Sequence, residues 1–180
     1  MKANVIKASL VGSALLSLVL VGHAPAADYQ HSLKVDQMNF SWSVNADSLA
    51  VRLSAPTTGW VAIGFNPTEM MKDANIVIGC VKDGKAELSD DFGSGPTTHM
   101  PDDKRGGANN VTLVDGSEAG NITTLEFSIP LNSGDANDGV INPAADTKVM
   151  LAYGPDRDSF KMKHQFAKTI TVNLASGAQK

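Results

Sequence analysis

Apolar and polar residues alternate by two along most of the chain beyond residue 38. "NFSWSV" sets Phe40, Trp42 and Val44 against Asn39, Ser41 and Ser43, and "LAVRLS" sets Leu49, Val51 and Leu53 against Ala50, Arg52 and Ser54. Successive side chains of a strand point to opposite faces, so this period predicts half-buried strands. "NVTLV", "ITTLEFSIP", "KVMLAYG" and "KTITVNL" continue the series, while "GWVAIGF" and "NIVIGCV" are apolar on both faces, as inner strands are. Turn formers separate the runs: Asn45-Ala46-Asp47, Asp83-Gly84, Asp115-Gly116-Ser117, Ala119-Gly120-Asn121 and Gly154-Pro155-Asp156. Asp83-Gly84 between "IGCVK" and "KAELS" predicts a two-residue hairpin. No window keeps a helical apolar stripe. Many short strands with frequent turns predict an all-β fold, an antiparallel β-sandwich.

Two polar stretches, residues 90–110 and 132–147, interrupt the pattern and are expected to be long loops. The N-terminus breaks it differently. Lys2 and Lys7 precede an uncharged apolar run from Ala8 to Gly22, and Ala24-Pro25-Ala26 offers a small-x-small processing site. This is the form of a secretory signal peptide over residues 1–26, with cleavage before Ala27. Residues 27–180 are then expected to form a single domain in the periplasm or outside the cell, and they contain no further apolar run of membrane-spanning length.

Composition narrows the function classes. Acidic residues number 19 against 15 basic ones, and two of the lysines lie in the leader, so nothing favours nucleic acid as a partner. Cys80 is the only cysteine, which excludes an internal disulfide and a covalent Cys-x-x-Cys-His haem attachment. Within "IVIGCV" it reads as a small buried hydrophobe. No Ser-His-Asp order, His-Glu-x-x-His helix, P-loop or Gly-x-Gly-x-x-Gly occurs, so hydrolase and nucleotide chemistry lack a motif and an enzyme is not expected.

The methionines carry the more informative signal. Met38 and Met150 fall in strand-like runs and read as core filling, whereas Met70 and Met71 stand in "NPTEMMKD", a turn-like segment of polar neighbours. A thioether there needs a hydrophobic neighbour or a soft metal, and haem iron with Met and His axial ligands is the common protein use of the latter. Late in the chain "FKMKHQF" would place Met162, His164 and Phe166 on one face of a strand. On residue types alone His164 reads as a core or rim histidine. His31, near the new N-terminus, reads as exposed. His99 lies in "TTHMPDD", beside Asp102 and Asp103. Asp90, Asp91, Asp102 and Asp103 could hold Ca²⁺, but without EF-hand spacing they read first as a solvated acidic loop.

"GWVAIGFNPTEMMKDANIVIGCVKDGKAELSDDF", then "TTLEFSIPL" and "KVMLAYGPDRDSFKMKHQF", together resemble the DOMON family, the dopamine β-monooxygenase N-terminal-like domains. The resemblance runs roughly from Leu33 to Leu174 and is most specific between Gly59 and Gly84. It implies an immunoglobulin-like β-sandwich with a ligand pocket at one end. Many members, among them the cytochrome domain of cellobiose dehydrogenase, hold non-covalent haem b between a methionine after the Gly-Trp strand and a histidine late in the chain. Carried onto this sequence, the pattern makes Met71 the first choice, with Met70 the alternative, and matches His164, with His99 as competitor. Trp60, Phe65, Met70, Met162 and Phe166 would enclose the macrocycle, and Lys72, Lys161 and Lys163 would meet its propionates.

The function so implied is an electron carrier serving a redox partner protein, because six-coordinate iron suits electron transfer. Two other functions remain open. One is a haem-free carbohydrate- or protein-binding module with a pocket lined by Trp42 and Trp60; the other is a haem subunit of a larger oxidoreductase.

Overall fold

A computed structural model describes residues 28–180. The expected signal peptide and its cleavage site lie outside the described residues. Eleven strands follow in order: β1 (His31–Val35), β2 (Met38–Val44), β3 (Ser48–Ala55), β4 (Val61–Phe65), β5 (Asn75–Lys82), β6 (Lys85–Gly95), β7 (Thr98–Pro101), β8 (Thr112–Ala119), β9 (Ile122–Pro130), β10 (Asp146–Tyr153) and β11 (Phe166–Asn173). A single turn of 3-10 helix, Asp102–Arg105, follows β7. The strands form two antiparallel sheets, one ordered β1-β2-β3-β9-β8 and the other β11-β10-β4-β5-β6-β7. The molecule is the expected all-β, immunoglobulin-like sandwich.

Alternation fixes what lies between the sheets. Phe40 and Trp42 of β2, Leu49, Val51 and Leu53 of β3, and Leu125, Phe127 and Ile129 of β9 face Val61, Ile63 and Phe65 of β4 and Val149 and Leu151 of β10. Phe40 stacks on Trp42 with ring centroids 4.4 Å apart, and the Trp42 indole N–H donates to the Leu174 carbonyl at 2.8 Å. Burying a side chain of this size contributes about 2–3 kcal/mol, and truncating it would leave a cavity as well. Trp42 is therefore a core residue, and the pocket wall expected of it under a carbohydrate-binding reading does not form.

The hairpin at Asp83-Gly84 forms as expected, both residues taking positive φ (50° and 73°), as do the two residues of the Gly120-Asn121 turn (60° and 61°). Two expectations about loops are corrected. Asp115-Gly116-Ser117 is no turn: β8 runs through it as an exposed strand pairing with β9, with a register shift between Leu113 and Asp115. Residues 90–101 are no loop either. β6 continues to Gly95, and β7 folds back on it, pairing Phe92 with Met100. The acidic pair that suggested solvent is buried, Asp90 and Asp91 each being 3% exposed.

β4 and β5 are buried on both faces apart from Lys82. Their inner side is the sandwich core. On the outer side Trp60, Ala62, Ile78 and Cys80 form a second apolar cluster with Ala152 and Phe160. The sequence signal for an inner strand is thus met by sheet neighbours at the edges, a core below and a covered cleft above.

Candidate functional site

The cleft lies on the outer face of the six-stranded sheet and has a volume of about 790 Å³. Its floor comes from every second residue of four strands: Ala62 and Gly64 of β4, Ile76 and Ile78 of β5, Met150 and Ala152 of β10, Ala167 and Thr169 of β11. Four of these eight have a side chain no larger than methyl, which leaves the middle of the floor low and flat. At Gly64 even a Cβ would come within 2.6 Å of the Met150 Cε and 3.2 Å of the Ile76 Cγ1.

One wall is the segment between β4 and β5, which contributes Met70 and Met71. Backbone hydrogen bonds hold it against β6: Asp73 N–H donates to the Gly93 carbonyl at 2.8 Å, and Gly93 N–H to that of Ala74 at 2.9 Å. Met71 N–H donates to the Pro96 carbonyl at 3.1 Å, tying the segment to the β6–β7 turn. Only glycine fits at 93, since a Cβ there would lie 1.7 Å from the Met71 carbonyl oxygen. Met70 takes φ 52° and is 63% exposed, whereas Met71 is half-buried. The adjacent thioethers are therefore not equivalent, and the half-buried one is the first choice made from sequence.

The opposite wall is the segment between β10 and β11, contributing Phe160, Lys161, Met162, Lys163 and His164. Its start is clamped to the entry of β4. Thr57 Oγ1 donates to the Gly154 carbonyl at 2.9 Å, Thr58 N–H to Asp156 Oδ1 at 3.0 Å, and Gly154 N–H to the Trp60 carbonyl at 2.9 Å. Gly59 allows this approach: a Cβ would sit 2.0 Å from the Pro155 carbonyl oxygen. The Gly-Trp pair thus has distinct tasks, Gly59 admitting the neighbouring loop and Trp60 lining the cleft. The Trp60 indole N–H is buried with no protein partner.

Trp60, Met70, Met71, His99, Met162 and His164, all singled out from sequence, line this one cleft. Phe65 and Phe166 do not. Phe65 has the parity of Val61 and Ile63, faces the sandwich core and is fully buried there. Phe166 opens β11 opposite Tyr153, stacks on its ring at 5.3 Å and packs against the core. The expected strand face uniting Met162, His164 and Phe166 is accordingly corrected: pairing starts only at Phe166, and His164 sits in the irregular segment before it, exposed. Lys161 and Lys163 border the cleft and Lys72 does not; Lys168 also borders it, but its ammonium is paired with Asp36 at 2.8 Å.

His99 is the better-oriented imidazole. Its Nδ1 lies 2.6 Å from Asp91 Oδ2, and Asp91 also accepts a hydrogen bond from the Ser89 hydroxyl. With Nδ1–H donated to a buried carboxylate, Nε2 is left free, the arrangement that commonly orients a metal-bound histidine. Ser89, Asp91 and His99 do not make a nucleophilic triad, because the serine hydroxyl is spent on the carboxylate and not on the imidazole. Cys80 is buried as expected: it is 1% exposed, and burial, then Asp158 and Glu87, push its thiol up to about 11.

The residues present fit a flat, largely apolar ligand with a soft or imidazole-binding metal at its centre. A level floor, thioethers and imidazoles on facing walls, and lysines at the mouth are the parts such a ligand needs.

Comparison with known proteins agrees with this geometry. Residues 34–154 match the model of the DOMON domain. The chain is 31% identical over 150 residues to DBH-like monooxygenase protein 1 of Mus musculus, a match covering 82% of this chain and 24% of that protein. To DBH-like monooxygenase protein 2 of Mus musculus it is 30% identical, over 74% of this chain and 21% of that protein. It therefore spans only about a quarter of the length of these relatives. In fold it is similar to the cytochrome b domain of pyranose dehydrogenase from Coprinopsis cinerea (TM-score 0.59, 12% identity, 78% of each chain). It is also similar to the cytochrome domain of Myriococcum thermophilum cellobiose dehydrogenase (TM-score 0.53, 11% identity, 83% of each chain). The family model covers most of the described residues, and this chain belongs to the DOMON family.

Proposed function

We propose that the chain is an exported b-type cytochrome, a single DOMON domain that holds haem b non-covalently in the cleft and exchanges single electrons with a redox partner protein in the periplasm or outside the cell. The observation that carries this reading is the convergence of Met71 and His164, from segments more than ninety residues apart, on opposite walls of one flat-floored cleft. The similarity in fold to two cytochrome domains supports it. Bound haem would supply a one-electron iron couple, raised in potential by a thioether ligand. The protein's own part is to present the ligands, exclude water and set the charge at the mouth. Ala62, Gly64, Ala152 and Ala167 leave room for a macrocycle against the sheet, Trp60 and Ile78 close its apolar end, and Lys161 and Lys163 offer cations to carboxylates at the rim. With Met71 and His164 both holding the iron, no position on it would be left for a substrate, and the chemistry supplied would be that of an electron carrier.

One observation favours a second ligand set. The Asp91 bond holds His99 ready, whereas His164 is exposed in a segment without regular structure. The test is an optical spectrum of purified protein after haem-sufficient expression, oxidised and dithionite-reduced, followed by the ligand variants. Sharp reduced α and β bands with a b-type pyridine haemochrome are expected, lost in Met71→Ala and His164→Ala and retained in Met70→Ala and His99→Gln. Loss in His99→Gln with retention in His164→Ala would move the second ligand to β7. No Soret band after haem reconstitution would overturn the cytochrome reading and leave a haem-free binding module.

A further inference from the structure

On the other face of β6 from the cleft, three carboxylates meet without a counter-charge. Asp90 and Asp91 are neighbours in a strand, so they point opposite ways: Asp91 turns outward to His99, and Asp90 turns inward on the side of Leu88. There Asp90 meets Asp102 of the 3-10 turn and Asp138 of the long segment before β10, with one carboxylate oxygen from each within 4.8 Å of the others. Asp90 is 3% and Asp102 1% exposed. Among the described residues no Lys, Arg or His forms an ion pair with any of the three: Lys104 pairs with Asp103, and Arg105 lies over the Phe92 ring.

The hydrogen bonds around the cluster leave one side of it unsatisfied. Asn110 N–H donates to Asp90 Oδ2 at 2.8 Å, and Asn110 Nδ2 donates to Asp138 Oδ2 at 3.1 Å. Asp135 beside them is fully engaged, accepting from Ala108 N–H at 2.7 Å and Asn137 N–H at 2.8 Å. Four buried oxygens then have no protein partner: Asp90 Oδ1, both oxygens of Asp102 and Asp138 Oδ1. A buried carboxylate lacking both donor and counter-ion costs several kcal/mol, and ionised Asp102 lacks both on both oxygens, its near neighbour Asp138 being able to bond it only through a shared proton. Something positive must occupy the space these oxygens share.

We infer that Asp90, Asp102 and Asp138 form a site for one hard divalent cation, calcium, which ties β6 to the 3-10 turn and to the segment before β10. The donors are all oxygen, which excludes the thiolate and imidazole sites of softer metals. Their spread suits metal–oxygen distances of about 2.4 Å, and the irregular framework suits the adaptable coordination of calcium better than the strict octahedron of magnesium. Protons are the alternative occupants. Burial first, then the mutual repulsion of the carboxylates, pushes Asp90 and Asp102 each up to about 7, so near neutral pH a cation competes with weakly held protons. The sequence showed part of this set, since Asp90 and Asp102 stand among its acidic residues, but Asp138 comes from a separate segment.

The test needs no haem, so its outcome is independent of the proposed function. The full-length purified protein is stripped with EDTA, equilibrated with Ca²⁺ near pH 7.5, and assayed for bound metal and for thermal stability. About one calcium per chain is expected, with a rise in melting temperature over the EDTA form. Asp102→Asn and Asp90→Asn should bring bound calcium to background, whereas Asp91→Asn on the opposite face should retain it. Should the two buried variants fail to fold, the half-buried Asp138→Asn should still weaken binding at least roughly tenfold. Substoichiometric calcium in the parent protein, with equal melting in calcium and EDTA, would overturn the site. So would loss of binding in Asp91→Asn alone, and a preference for Mg²⁺ over Ca²⁺ would overturn the choice of ion.

Discussion

Replacing Gly93 by alanine tests whether the wall carrying Met71 is positioned by β6. The new methyl would lie 1.7 Å from the Met71 carbonyl oxygen and 2.7 Å from its carbonyl carbon, both backbone atoms that no rotamer change can move. Bringing that contact to an ordinary separation near 3.5 Å requires the two segments to part by roughly 2 Å. Such a shift breaks the bonds between Asp73 and Gly93 and between Gly93 and Ala74. At about 1 kcal/mol net for each, with more for buried groups left unpaired, the loss comes to about 2–3 kcal/mol. For a chain of this length that lowers the melting temperature by about 5–10 °C. If Met71 holds haem as proposed, the same displacement takes it beyond the tolerance of about 0.5 Å within which a ligating side chain must be held, and haem uptake should fall by more than about tenfold. Thermal melts of the haem-free protein and haem titrations of parent and variant measure the two effects separately. A variant that melts within about 0.5 kcal/mol of the parent, or that loses stability yet takes up haem normally, would refute the positioning role.

Three further outcomes follow from particular residues. Gly64→Phe should place a ring on the cleft floor, displacing the flexible end of Met150 and pressing on Ile76 Cγ1 at its Cβ; it should melt within about 2 kcal/mol of the parent yet lose at least about tenfold in haem affinity, and normal uptake would show that the ligand does not lie on β4. In EDTA the protein should lose stability as pH rises from about 4 to about 7. Asp90 and Asp102 have folded-state values raised above those of the unfolded chain, so the folded state binds the extra protons and their contribution is gone above the folded value; stability flat across this window in pH-dependent denaturant melts would contradict it, and calcium should flatten the profile. Cys80 should resist iodoacetamide in the native state and react only at the rate of unfolding, whereas prompt labelling at neutral pH would show that the outer cluster opens.

Alternation made the sandwich legible because it records a face in contact with the core, and nearly every strand has one. The doubly apolar runs of β4 and β5 were also legible, but not the reason for them, since a pattern cannot tell a covering sheet from the floor of a cleft. Where the reading failed, the pairing partner decided. "KMKHQF" alternates well, yet strand pairing begins at Phe166 because only from there does Tyr153 of β10 stand opposite. Asp90 and Asp91 looked solvated because charge is normally exposed; what buries them is β7, the Asn110 amide and His99, which come from later in the chain. The parity that sends Phe65 inward was available in "GWVAIGF", since Val61 and Ile63 share it. The convergence of Asp138 on Asp90 was not, because an irregular segment carries no register from which to read its direction.

Neighbouring residues of β4 and β5 answer to different requirements. Val61, Ile63, Phe65, Val77 and Val81 keep the two sheets together, while Ala62, Gly64, Ile76 and Ile78 face the cleft and the side chains that line it. The two sets interleave one residue at a time on a backbone five and eight residues long. Drift at the second set can therefore change the size and chemistry of what the cleft admits without touching the first, so the opening can be remade while the scaffold keeps its stability.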